Sequence, residues 1–194
     1  MTFKATVNAD LFRRCALAQS SEATRYYLCG VKLERHPSGE GVLMIATDGR
    51  ILACFYDREG TIEGEAIVAL PKHVMAACKG SDYNLILDGD TAEIFDKRGA
   101  AQFAKGVVVD GTFPDWRRVI PQPGPDAGCA GQFDQVLLSR LGAILSDDKM
   151  QAISISGDAA SDPHIVRGTN PNGFGVAMPL RLQAHAPKGV PFTD

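Results

Sequence analysis

One pattern recurs along the chain and restricts its fold more than any other feature. A strand, a helix and three further strands follow one another, then return at a spacing of about sixty residues. In the first copy, residues 2–7 alternate as a short strand, and Asn8 or Asp10 can cap a helix that runs to about Ser20. Leu11, Phe12, Cys15, Ala16 and Ala18 share its apolar face, with Arg13, Arg14 and Leu17 toward the other side. Strands are expected over Arg25–Glu34, Val42–Thr47 and Ile51–Asp57, with Asp48-Gly49 as a tight turn. The second copy reads Glu65–Leu70 as strand, Lys72–Lys79 as helix behind Pro71, and Tyr83–Leu87, Glu93–Asp96 and Ala101–Val109 as strands. The third has a short strand at Cys129–Gln132, a helix at Asp134–Leu145, and strands at Ala152–Ser156, Ile165–Gly168 and Phe174–Leu180. The expected class is α+β, built from β-α-β-β-β modules with helices on one face of antiparallel sheets.

Three copies divide unevenly. Two modules make one complete domain, residues 1–121, and the third, residues 129–182, is half of another. Residues 122–128, rich in Pro and Gly, form the linker between them, and 183–194 form a flexible tail. A half domain leaves a sheet edge and an apolar helix face uncovered, so a further chain is expected to cover them.

The segment Asp110–Pro121 joins the second module to this linker. Pro114 fixes its own φ and holds Phe113 extended. Phe113, Trp116, Val119 and Ile120 are too apolar for a free connector and are expected to lie on a surface, with Arg117 and Arg118 at its edge. The segment is either a packed crossover or a crossover that also walls a groove.

Composition limits the remaining classes. No apolar run approaches the roughly 20 residues that a membrane-spanning helix needs, and the start lacks the apolar core of a signal peptide. The five cysteines are scattered without a CxxC pair, which reads as buried thiols in a reducing cytoplasm and not as a zinc site. The net charge of −3 means that the chain either avoids nucleic acid or confines its positive charge to one surface. His36, His73, His164 and His185 are far apart, and Asp48 and Asp115 read as turn or cap residues. Gly157-Asp158 and Gly173 make no phosphate loop. No catalysis, no metal and no cofactor are expected.

Three stretches, Thr24–Val31, Ile45–Ala53 and Asp110–Pro121, resemble the middle domain of the bacterial sliding clamps, the beta subunit of DNA polymerase III, in order and separation. Phe133-Asp134 and Val176–Leu182 resemble the last half-domain of the same family. The resemblance covers nearly the whole chain to Leu182 and describes a shortened or phage-like member. The family's first domain and the first half of its last have no counterpart. Where the family has His-Arg after Thr-Asp-Gly, this chain has Arg50-Ile51.

The resemblance implies a DNA-clamp fold and a closed ring whose helices line a hole around double-stranded DNA. Such a ring binds DNA through sequence-independent phosphate contacts. Candidate wall residues are Arg13, Arg14, Lys72, Lys79 and Arg140, each of which also reads as part of a solvated helix face. It implies further an outer groove for short peptides of DNA polymerase, clamp loader and repair proteins. Carried over position by position, the groove comprises Leu28, Thr47, Gly49, Arg50 and Leu52, then Pro114, Arg118 and Val119, then Val176 and Met178. Taken singly, Leu28 and Val176 read as core; all ten together, from three separated segments, read as a site. The implied protein is a cytoplasmic processivity factor. Twelve modules per ring and three per chain imply a homo-oligomer of four. The alternative is a truncated clamp-like module that binds clamp-binding peptides or a host clamp without encircling DNA. A hydrolase on an α+β scaffold is the third reading.

Overall fold

The computed structural model describes residues 3–80, 83–95, 99–121, 131–147 and 151–180. The linker 122–128, Cys129 and the tail 183–194 lie outside the described residues.

The first module is β1 (Lys4–Asn8), α1 (Ala9–Ala16), β2 (Val31–Arg35), β3 (Val42–Thr47) and β4 (Ile51–Asp57). Asn8 caps α1, its side-chain oxygen accepting from the Leu11 N–H at 3.0 Å. The expected continuation to Ser20 does not form: the helix closes at Ala16, and the Ser20 N–H turns to the Leu28 carbonyl at 2.9 Å. A larger departure lies at Arg25–Glu34. Ala23–Leu28 is a 3-10 segment, and the strand begins only at Val31. The Tyr26-Tyr27 pair favours strand locally, but Tyr26 is 54% exposed and has no sheet neighbour, so tertiary placement decides. The outcome delivers Leu28, 5% exposed, to the end of the segment.

The second module is β5 (Thr61–Glu63) and β6 (Ala66–Val68), α2 (Lys72–Ala77), β7 (Asn84–Asp88), β8 (Thr91–Phe95), β9 (Ala101–Lys105) and β10 (Val108–Val109). The strand expected at Ala101–Val109 is broken at Gly106, whose φ of 69° lies in the left-handed region. The third module is α3 (Gln135–Leu145), β11 (Ser154–Ser156), β12 (His164–Arg167) and β13 (Gly173–Ala177). Asp134 caps α3 through the Val136 N–H at 2.8 Å. Of the strand expected at Cys129–Gln132, the described residues Gly131 and Gln132 belong to no strand. The last strand stops at Ala177 and not at Leu180.

Two antiparallel sheets result, one ordered β5-β1-β7-β8-β9 and one β10-β6-β2-β3-β4-β13-β12-β11. Each of the first two modules lends its opening strand to the other: β1 pairs with β7, and β6 with β2. The third module joins the larger sheet edge to edge, with Phe174 opposite Cys54 and Val176 opposite Leu52. The main core holds Phe12, Leu33, Met44, Phe55, Leu85, Leu87, Ile94, Leu141, Ile144 and Leu145, all under 2% exposed. A smaller apolar cluster covers the other face of the larger sheet. There Trp116, Phe113 and Ile120 of the crossover pack on Leu43, Ile45, Leu52, Cys54 and Val176. The crossover thus lies on a surface, as its composition requires. Seating the Trp116 ring alone contributes about 2–3 kcal/mol. Among the described residues no helix is long and apolar enough to cross a membrane.

Candidate functional site

The turn between β3 and β4 is built by its own side chains. Thr47 Oγ1 donates to the Ile51 carbonyl at 2.7 Å and accepts from the Gly49 N–H at 3.0 Å. Asp48 Oδ1 accepts from the N–H groups of Arg50 and Ile51 at 2.9 and 3.0 Å. Gly49 has φ 87°, a conformation that L side chains rarely adopt. Asp48 Oδ2 accepts from Arg140 Nη1 at 2.8 Å, and Arg140 Nη2 donates to the Leu17 carbonyl at 3.0 Å. Burial pulls the Asp48 pKa upward, but the two backbone donors and the Arg140 guanidinium outweigh it and hold the carboxyl below its usual 3.8. One arginine of α3 therefore ties the third module to this turn and to the end of α1.

The turn forms one rim of a cavity of about 160 Å³ with a mainly apolar lining. Leu28, Thr47, Gly49, Arg50, Ile51 and Leu52 come from the first module, Pro114, Asp115, Trp116 and Val119 from the crossover, and Val176 and Met178 from the third module. The Met178 N–H donates to the Arg50 carbonyl at 3.1 Å, closing the turn against the end of β13. Met178 stays 37% exposed and Val119 38%, so two apolar side chains, the unbranched methionine the more adaptable, face solvent at the mouth above a floor of Leu28, Leu52 and Val176. The Trp116 indole N–H is buried and has no acceptor among the described residues. Two larger concavities, of about 700 and 580 Å³, are more polar and are rimmed by charged residues such as Lys4, Arg35, Glu59, Lys32 and Glu65.

Nine of the ten carried-over groove positions line this one cavity; Arg118 does not. Its side chain is 84% exposed and pairs with Asp115 at 3.1 Å. Sequence reasoning missed three lining residues: Ile51, Asp115 and Trp116. Ile51 is, with Arg50, one of the two positions where the chain departs from the family, and both line the cavity all the same. Trp116 carried a signal, as an aromatic in a segment bound to pack.

The candidate wall residues are not brought together in the same way. Arg13 pairs with Asp10 at 3.4 Å. Arg14 pairs with Asp10 at 2.7 Å and Asp147 at 3.1 Å, and donates to the Ser146 carbonyl. Arg140 is held by Asp48. Lys72 and Lys79 on and beside α2 are exposed and have no ion-pair partner among the described residues. No three His, Cys, Asp or Glu side chains among the described residues gather to hold a metal ion.

No protein-family model matches the chain. The beta sliding clamp of Escherichia coli (strain K12) is 30% identical over 162 residues, covering 79% of this chain and 41% of that protein. The chain is homologous to bacterial beta sliding clamps. The beta sliding clamp of Salmonella typhimurium is 27% identical over 158 residues, 75% of this chain and 40% of its own length. The chain thus spans about two-fifths of the curated relatives that it matches. Among solved structures, the sliding clamp of Bartonella birtlesii bound to griselimycin aligns with TM-score 0.67 at 18% identity, over 93% of this chain and 66% of that one. The H. pylori beta clamp in complex with diflunisal aligns with TM-score 0.63 at 14% identity, over 94% and 68%. These structures establish the DNA-clamp fold of this sliding clamp homologue.

Proposed function

We propose that this chain is a non-catalytic processivity factor of the sliding-clamp kind, whose 160 Å³ cavity docks the leucine- or phenylalanine-anchored tails of replication and repair proteins. The observation that carries the reading is the assembly of the cavity from three separated segments at the seam between β4 and β13. An apolar slot with an exposed, flexible Met178 and an exposed Val119 at its mouth and backbone polar groups on its rim suits a short extended peptide. The assembly would surround duplex DNA in the cytoplasm, with four copies supplying the twelve modules of a ring. A three-chain assembly would refute that count.

Two measurements test the reading. Fluorescence anisotropy of a labelled clamp-binding peptide should show saturable binding that Met178→Arg abolishes, because the change puts a charge into an apolar slot. Unchanged affinity would show that the cavity is not the site. On DNA, the protein should persist on closed circles and leave linear molecules by their free ends; equal loss from both would remove the ring.

A second reading has its own support. Arg13, Arg14 and Arg140, three of the five candidate DNA contacts, are held in internal ion pairs, and the net charge is −3. A module that docks peptides without encircling DNA needs no basic inner wall. Peptide binding with no topological retention on circles would favour it.

A further inference from the structure

The complete domain of this chain shows how a β-α-β-β-β module is finished, and the third module is unfinished in the same two places. In the complete domain the opening strand of each module is covered by the second strand of the other: β1 lies against β7, with Lys4 opposite Asp88 and Asn8 opposite Asn84, and β6 lies against β2. The counterpart of β7 and β2 in the third module is β11, which pairs with β12 on one side. Among the described residues its other edge is bare. The counterpart of β1 is the segment before α3, residues 131–133, which pairs with no strand.

That segment is nevertheless held where an opening strand belongs. The Asn8 N–H of β1 donates to Asp57 at the end of β4 at 2.6 Å. In the third module a backbone bond ties the corresponding segment to the chain beyond β13, the Gln132 carbonyl accepting from the Leu180 N–H at 2.6 Å. Phe133 is fixed edge-on to the buried His164 ring at 5.0 Å. The chain between Pro121 and Gly131 is too short to supply a missing module of about sixty residues.

The helix surface agrees. Two residues after its cap, α1 carries Asp10, which reaches across to the second module and accepts from the Gly80 N–H at 2.7 Å. The equivalent residue of α3 is Val136, 66% exposed. With Ser139 and Ala143, also exposed, it forms an uncharged stripe at spacings of three and four. The edge of β11, Ser154-Ile155-Ser156, likewise carries no charge or proline of the kind that keeps bare edges apart.

We propose that two copies of this chain complete one domain between them about a twofold axis, each laying its segment 131–133 against the other's β11 and packing the Val136–Ala143 face of α3 on its mate. A second copy is the occupant that satisfies both deficits at once, because the bare opening segment and the bare second strand belong to the same module and a twofold exchanges them. The partner segment prolongs the eight-stranded sheet at β11. The inference concerns how copies meet and is independent of what the groove binds.

Light scattering on the full-length chain, with Val136→Arg/Ala143→Arg beside the wild type, tests it. Both substituted positions are exposed, so the fold of each copy should survive, checked by circular dichroism and peptide binding. The wild type should have the mass of two copies or a multiple of two. The variant should have half that mass, the pairing weakened by at least about a hundredfold because unpaired charges would be buried. Oxidising a mixture of Val136→Cys and Ala143→Cys chains should give a covalent dimer, and pairing Val136→Cys with Lys79→Cys should not. A wild type that stays monomeric up to its solubility limit would overturn the proposal, as would a variant whose mass matches that of the wild type.

Discussion

Replacing Asp48 by Asn removes the charge that Arg140 grips while leaving an oxygen for the two turn N–H groups. In a medium of effective dielectric ~20, opposite charges about 4 Å apart attract by roughly 4 kcal/mol before desolvation and side-chain ordering are subtracted. Fully exposed pairs retain about 0.2–1 kcal/mol, whereas opening a buried pair costs about 3–5 kcal/mol. The Arg140 and Asp48 side chains are 36% and 16% exposed, which lies between those cases. Asp48→Asn should therefore cost about 1–2 kcal/mol in urea unfolding at neutral pH. Arg140→Met should cost a similar amount, and the double variant little more than either alone. The pH dependence follows from the direction of the Asp48 shift. Its folded-state pKa is held below 3.8, so the carboxylate's contribution is complete above that value and is lost as pH falls through the folded pKa. The gap between wild type and Asp48→Asn should close in acid. A gap that persists after Asp48 is protonated, or no gap at neutral pH, would show that Arg140 does not anchor the third module through this charge.

Three further outcomes follow. Leu141→Ala should destabilise the chain by about 3 kcal/mol in the same assay, since Leu141 is fully buried between α3 and β13. Gly173→Ala should cost about 1–3 kcal/mol, because the added methyl would meet the buried Phe55 ring at 2.5 Å. In thiol labelling of the folded protein near pH 8, Cys29 should react while Cys15, Cys54 and Cys78 should not, because burial pushes Cys54 and Cys78 up to about 12 and raises Cys15 well above the usual thiol range. Labelling of those three that precedes unfolding would contradict the buried core.

Much of this fold is written in local chemistry. The apolar runs Val42–Thr47 and Ile51–Asp57 on either side of Asp48-Gly49 name a hairpin, and Asn8 and Asp134 name two helix starts. The spacing of Leu137, Leu141, Ile144 and Leu145 gives α3 its buried face. What local chemistry could not state is which strands meet. Nothing near Tyr26 and Tyr27 says that they leave the sheet while Val31, only a few residues on, pairs with Val68 of β6. The β4–β13 seam joins residues more than a hundred positions apart, beyond the reach of local chemistry. The same limit explains the cavity: Pro114, Val119 and Met178 came from the family's pattern, while Ile51 fell at a position where this chain departs from it. The arginines were the least legible, since a helix-face charge looks the same in sequence whether it meets solvent or, like Arg14, a carboxylate from another module.

The docking role proposed for the groove has a built-in reporter. Trp116 is the chain's single tryptophan and lines the cavity. Adding a leucine- or phenylalanine-anchored clamp-binding peptide that lacks tryptophan should shift its emission saturably, with an affinity matching anisotropy, and Met178→Arg should erase the shift. Emission that stays constant while the peptide demonstrably binds would mean that the peptide docks elsewhere and that the cavity is not the docking site.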